Sequence, residues 1–184
     1  MSGEILFVAG SPSPSSRSSA VARALGSRLE ARGLRTGWYS IRDFDPADVM
    51  LARVQAPAVA HFVEAVRGAS ALVLSTPVYK ATYAGALKAV VDLIPPDALV
   101  DKPTLGIGTS RLADHGGELA GAFRALFAFF RARSVGALVV LDDELTLGDG
   151  GVATFAAAAE ERLTAVALAL SLAVEEASPA RAAG

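Results

Sequence analysis

Three short stretches carry the residue types that can do chemistry. In the first, Ser11, Ser16, Ser18 and Ser19 surround Arg17, between an apolar run and a helical pattern. A helix N-terminus offers unpaired N–H groups and the positive end of the helix dipole, so added hydroxyls make such a loop a cradle for phosphate. In the second, Thr76-Pro77-Val78-Tyr79-Lys80 follows another apolar run and continues as Ala81-Thr82-Tyr83-Ala84-Gly85-Ala86-Leu87-Lys88. Two tyrosines beside a conformationally fixed Pro suit a flat ligand. The third, Thr109-Ser110-Arg111, again follows an apolar run.

The elements that position them follow from hydrophobic period. Ile5 to Ala9, Ala71 to Leu74, Thr104 to Gly108 and Ala137 to Leu141 are short continuous apolar runs, the pattern of parallel strands covered on both faces. Leu34 to Ser40 mixes polar residues with Trp38 and Tyr39 and reads as an edge strand. Between the strands, apolar residues recur at helical spacing: Val21, Leu25 and Leu29; Val59, Phe62, Val63 and Val66; Leu87, Val90, Val91 and Ile94; Leu119, Phe123, Leu126, Phe127 and Phe130. A last stripe runs from Phe155 through Leu163 to Val174.

Five strands alternating with five helices predict an α/β fold, a doubly wound five-stranded parallel sheet with helices on both faces. The strand count favours the flavodoxin-like order 2-1-3-4-5 over the six-stranded dinucleotide order. The switch point then falls between the first and third strands, so the Ser-rich loop and the Tyr79 loop converge on one site. Residues 1–176 are expected to form a single domain, and 177–184 a flexible C-terminal tail.

Composition bounds the partners. The chain has 184 residues, no Cys and a net charge of −2. That length buries a core without disulfides, and the lack of Cys excludes thiolate metal sites and Cys nucleophiles. Interspersed charges give no footprint for nucleic acid and no polybasic patch for a membrane surface. No apolar stretch reaches a membrane span, and Met1-Ser2-Gly3-Glu4 runs into the first strand without a signal-peptide pattern, which predicts a cytoplasmic protein.

Other candidates are weaker. Neither G-x-G-x-x-G nor G-x-x-x-x-G-K-[ST] occurs, so a hydroxyl-lined loop with a single Gly argues for a phosphomonoester such as that of a flavin mononucleotide. The competing view of that loop is a flexible connection in which only the N-cap is ordered. His61 reads as a helix-packing or surface histidine, and His115 with Asp114 sits in a loop that approaches the ligand edge. Ser11 is not in a G-x-S-x-G elbow, so no catalytic triad is expected. Asp142-Asp143 reads as a solvated strand end and not a metal site. Phe129 falls off the stripe of its helix, as a subunit contact would.

These residues also carry a resemblance. Ala9-Gly10-Ser11-Pro12, Ser16-Arg17-Ser18-Ser19, Phe44-Asp45-Pro46-Ala47-Asp48, and Thr76-Pro77-Val78-Tyr79-Lys80 through Lys88 and Asp92 are similar to the NAD(P)H-dependent FMN reductases. Within these, the chain most resembles the flavin reductases serving alkanesulfonate monooxygenases. The resemblance implies that Ser11, Ser16, Ser18 and Ser19 hold the FMN phosphate. It further implies that Pro77, Val78 and Tyr79 line the isoalloxazine ring, with the backbone of Thr109, Ser110 and Arg111 on its other edge. Arg17, Lys80 and Arg111, at the site mouth, are the expected contacts for NADPH phosphates. Hydride transfer between cofactors needs orientation but no protein acid or base, so no catalytic side chain is expected.

The resemblance implies a homodimer or homotetramer, with the fourth helix and the Leu87 to Ile94 helix as contacts, and a flavin-dependent monooxygenase as partner. Some sulfonate-linked reductases have an aromatic insertion that bulges the fourth helix, where this chain has Gly121. Without a bulge the alternative is a flavoprotein that keeps its FMN and reduces a quinone, an azo dye or a metal oxyanion. A flavodoxin-type electron carrier would be more acidic, and a ligand-free structural subunit would not keep all three loops. The acidic residue that reads a ribose in dinucleotide fingerprints is absent, which leaves NADPH and NADH both open.

Overall fold

The computed structural model describes the backbone of residues 3–182 and the side chains of residues 3–177. Parallel strands β1 (Ile5–Ala9), β2 (Thr36–Ser40), β3 (Ala71–Tyr79), β5 (Pro103–Ser110) and β6 (Arg133–Leu141) form the sheet in the order β2-β1-β3-β5-β6. This is the expected flavodoxin-like order. A two-residue strand, β4 (Thr82–Tyr83), pairs antiparallel with the end of β3. Two further short strands, β7 (Leu145–Leu147) and β8 (Ala153–Phe155), form a hairpin of their own.

Strand alternation sends successive side chains to opposite faces, and both faces are covered. Ile5, Phe7, Val73, Leu105 and Ile107 pack with Val21, Leu25 and Leu29 of α1 (Arg17–Glu30) and with Leu163 and Leu170 of α6 (Ala157–Ala182). Leu6, Val8, Leu72 and Leu74 pack with α3 (Pro57–Gly68), α4 (Gly85–Val91) and α5 (Asp114–Phe129). Each such side chain stabilises the fold by about 1.5–3 kcal/mol relative to exposure, before entropy is subtracted.

Close approach of α5 rests on two glycines of β5. A Cβ on Gly106 would lie 2.3 Å from Phe123 Cδ2, and one on Gly108 2.1 Å from Leu119 Cδ2. The Gly106 requirement is the stricter, since three atoms of the Phe123 ring lie within 2.7 Å there, whereas the Leu119 methyl at Gly108 ends a flexible side chain. On the same face the buried Lys102 donates from Nζ to the carbonyls of Val66 and Arg67, satisfying the last turn of α3.

Several elements differ from expectation. β3 runs through Tyr79, because Val78 and Tyr79 pair antiparallel with β4, and β5 runs through Ser110, because Ser110 pairs with Leu141 of β6. The stretch 114–117 is the first turn of α5 and not loop. A short helix α2 (Pro46–Met50), which no apolar stripe marks, follows β2, with Asp45 as N-cap accepting from the Ala47 N–H. The predicted tail 177–184 is helical in backbone as far as Ala182, consistent with its Ala-rich composition, while residues 183 and 184 lie outside the described residues. Among the described residues no helix is long and apolar enough to cross a membrane.

Candidate active site

The carboxyl ends of β1, β3, β5 and β6 share one edge of the sheet, since Ala9 pairs with Ser75, Pro77 with Thr109 and Ser110 with Leu141. Gly10 is where two of the loops meet. Its N–H donates to the Ser75 carbonyl at 2.7 Å, and a Cβ there would stand 2.7 Å from both Ser75 O and Leu87 Cβ. Only glycine lets the end of β1 lie this close to the end of β3 and to α4.

Beyond Gly10 the loop is organised by its own hydroxyls. Ser16 is the N-cap of α1, in extended conformation, and its Oγ accepts from the Ser19 N–H at 3.2 Å. The same Oγ lies 2.9 Å from Ser18 Oγ. Ser11 Oγ accepts from the Ser13 N–H at 3.2 Å. Ser11, Ser16 and Ser18 are buried, and Ser18 is fully so. The hydroxyl of Ser18 is therefore directed into the cap, whereas Ser19 keeps its side chain partly exposed.

The second loop is a tight hairpin. Val78 pairs with Tyr83 and Tyr79 with Thr82, leaving Lys80 and Ala81 as the turn residues at φ values of 52° and 66°. Two successive positive φ values twist as strands do, a geometry that normally selects Asn-Gly. Buried Thr76 holds the base of this hairpin: its Oγ1 donates to the Pro77 carbonyl and accepts from the buried Ala84 N–H, both at 2.9 Å. Val78 packs against the core, Tyr79 is 49% exposed, and the hairpin thus presents an apolar and aromatic surface at the strand end.

The third loop closes on itself. Ser110 Oγ donates to the Leu112 carbonyl at 2.8 Å and accepts from its N–H at 3.2 Å. Thr109 and Ser110 are buried, and the Arg111 side chain is 90% exposed.

One expectation changes at the site mouth. Arg17 is not a free charge: its Nη1 donates to the carbonyls of Asp142 at 3.0 Å and Leu145 at 2.9 Å, bracing the β6–β7 turn. Asp142 is correspondingly no plain solvated strand end, because its carboxylate lies 4.0 Å from Arg17 and 3.7 Å from Arg111. The same turn is tied down by Glu144, which accepts from the Leu141 N–H and from Arg162. The Arg162 hydrogen bond holds the Glu144 carboxyl below its ordinary range. His115 stands in the first turn of α5, and His61 Nδ1 lies 2.8 Å from the Tyr39 hydroxyl, across the sheet edge at β2.

A loop of hydroxyls at a helix N-terminus is thus set against an apolar hairpin across the switch point, and such a helix N-terminus is suited to an anion. The family model of the NADPH-dependent FMN reductases matches residues 4–146. The chain belongs to that family. It is 34% identical over 161 residues to an FMN reductase (NADPH) of Pseudomonas putida, covering 86% of this chain and 82% of the relative. It is also 34% identical over 137 residues to the NADH-dependent FMN reductase SfnF of Pseudomonas fluorescens, covering 73% and 67%. Among solved structures, an apo NADH:FMN oxidoreductase, EmoB, superposes with a TM-score of 0.80 at 23% identity, covering 92% of this chain and 89% of that one, a likeness of fold.

For an FMN reductase, the fold therefore brings together Ser11, Ser16, Ser19, Pro77, Val78, Tyr79, Thr109 and Ser110 at one edge, with Lys80 and Arg111 exposed at its rim. Gly10, Thr76 and Asp142 have positioning roles that residue type alone did not mark. Gly10 and Thr76 had a signal in the sequence, as members of the A-G-S-P and T-P-x-Y stretches. Asp142 had none, since its partners are distant in the chain.

Proposed function

We propose that this protein oxidises NADPH or NADH and reduces FMN, supplying the reduced flavin to a flavin-dependent monooxygenase of the sulfonate-desulfonating type. The observation that carries the reading is the joining, through Gly10, of a hydroxyl-rich helix N-terminus to the Thr76-clamped hairpin. Ser11, Ser16 and Ser19 hold the phosphate together with the α1 N-terminus, and Ser18 fixes Ser16. Pro77, Val78 and Tyr79 line one edge of the ring, and the Thr109–Ser110 backbone the other. FMN supplies the hydride-accepting centre. Every other contribution is orientation: the hairpin sets the ring plane, and Lys80 and Arg111 receive phosphates of the nicotinamide nucleotide at the rim.

A second reading is favoured by one feature. Helix α5 runs as regular α-helix through Gly121, with no bulge at that place. An unbulged helix fits a protein that keeps its FMN and reduces another acceptor, such as a quinone, an azo dye or a metal oxyanion. We further assign a cytoplasmic location, one domain over residues 1–176, and a homodimer or homotetramer with contacts on α5 and α4.

The test is steady-state oxidation of NADPH and NADH by the purified protein, with and without added FMN. A colourless protein whose activity depends on added FMN supports the first reading, and a yellow protein active without it supports the second. Failure to oxidise either nucleotide under both conditions overturns them both.

A further inference from the structure

Arg111 stands at the site mouth on a loop that does not itself aim it. Ser110 closes that loop by bonding both backbone polar groups of Leu112, and the Arg111 side chain extends into solvent beyond it. Among the described residues Asp142 is its one charged partner, with Oδ2 3.7 Å from Arg111 Nε. Asp142 is the fixed member of the pair. Its N–H donates to the Ser110 carbonyl at 2.9 Å and its carbonyl accepts from Arg17 Nη1 at 3.0 Å. The backbone of Asp142 is thus tied to the residue before Arg111 and to the first turn of α1.

This geometry divides the Arg111 guanidinium. The carboxylate takes the Nε side, which leaves Nη1 and Nη2 as a two-pronged donor, the form in which arginine binds phosphate. A carboxylate beside an anion site is ordinarily unfavourable, but Oδ1 of Asp142 also lies 4.0 Å from Arg17 Nε, so two guanidinium groups flank one negative charge. The Arg17 brace does not depend on that charge, because it donates to the Asp142 and Leu145 carbonyls. Removing the carboxylate therefore releases Arg111 and leaves the β6–β7 turn in place.

We propose that Asp142 is a positioning residue for the nicotinamide nucleotide, holding Arg111 in the orientation that receives a phosphate of NADPH or NADH. The inference rests on the proposed function, in which Arg111 meets that phosphate. Recognition of the nucleotide then depends on a residue that acts only through another side chain. The phosphate is either the pyrophosphate common to both nucleotides or the 2′-phosphate of NADPH alone, and comparing the two nucleotides tells these apart.

The experiment measures KM and kcat for NADPH and NADH, at saturating FMN, in the wild-type protein, Asp142→Asn, Arg111→Gln and the double variant. Asp142→Asn should raise KM roughly two- to five-fold, the range of an exposed ion pair, while kcat and FMN affinity stay within about two-fold. A rise for both nucleotides assigns the pyrophosphate, and a rise confined to NADPH the 2′-phosphate. Asp142→Glu keeps the carboxylate and should return KM towards wild type. In the Arg111→Gln background the Asp142→Asn change should add nothing, since the side chain it positions is gone. An unchanged or lower KM in Asp142→Asn, or an equal rise in both backgrounds, overturns the positioning role alone. An Arg111→Gln variant with wild-type KM overturns it together with the phosphate contact assigned to Arg111. Oxidation of neither nucleotide by the wild-type protein overturns the proposed function as well.

Discussion

The two halves of the site are held in different ways. At the phosphate end, Ser16 caps α1, Ser18 backs Ser16, and the loop adopts this shape through contacts within a few residues of one another. At the ring end, the hairpin carries two left-handed non-glycine residues, Lys80 and Ala81, and is fastened at its base by Thr76 across a gap of eight residues. The proposed phosphate site is thus preorganised by local capping at little strain. The proposed ring site is a strained turn kept in place by a buried clamp, as expected where an exposed surface must hold one shape without packing on both sides.

The largest effect should come from breaking the joint between the halves. Gly10→Ala puts a rigid methyl 2.7 Å from both Ser75 O and Leu87 Cβ, and neither neighbour is the end of a flexible side chain. Overpacking of this kind costs about 3 kcal/mol at the upper end of its usual range. Urea denaturation should show that loss, and FMN and riboflavin should both bind more weakly because both halves move. A variant as stable as wild type would mean that the two loops are not coupled through Gly10.

Next comes the clamp. Thr76→Val keeps the shape but leaves the buried Ala84 N–H without its acceptor, at a cost of about 2 kcal/mol. The comparison predicts that riboflavin and FMN affinity fall together, since the ring surface is disturbed and the phosphate loop is not. A loss confined to FMN would contradict the division of roles. The converse variant is Ser16→Ala, which removes the N-cap and should cost about 1 kcal/mol of stability. It should weaken FMN and leave riboflavin, which has no phosphate, nearly unchanged in the same fluorescence titration.

The same contrast explains what was legible in the sequence. The sheet and its order follow from apolar runs such as Ile5 to Ala9, and the N-cap Ser16 follows from residue type and place, because both are local signals. The hairpin was not legible: Lys80-Ala81 is a poor match to the residues that favour its turn, so Thr76 to Lys80 reads as open loop. Arg17 has the residue type and position of a phosphate contact, yet it braces carbonyls more than a hundred residues away, at Asp142 and Leu145. Long-range pairing of this sort leaves no periodic trace. The β7–β8 hairpin is hidden likewise, since its strands of three residues are too short for alternation to register.

The smallest predicted effect bears on the strain itself. An L-residue in the left-handed region is disfavoured by about 1–2 kcal/mol, whereas glycine enters it freely but loses about 0.5–1 kcal/mol more chain entropy on folding. Ala81, at φ 66°, makes no side-chain hydrogen bond that such a change would sacrifice. Ala81→Gly should therefore raise stability by about 0.5 kcal/mol, read as a small shift of the urea midpoint without a change in slope. If the turn is strained to fix the ring surface, the gain in stability should come with weaker riboflavin and FMN binding, as the relaxed turn samples other shapes. Greater stability with unchanged flavin affinity would separate the strain from the site and assign rigidity to the Thr76 clamp alone.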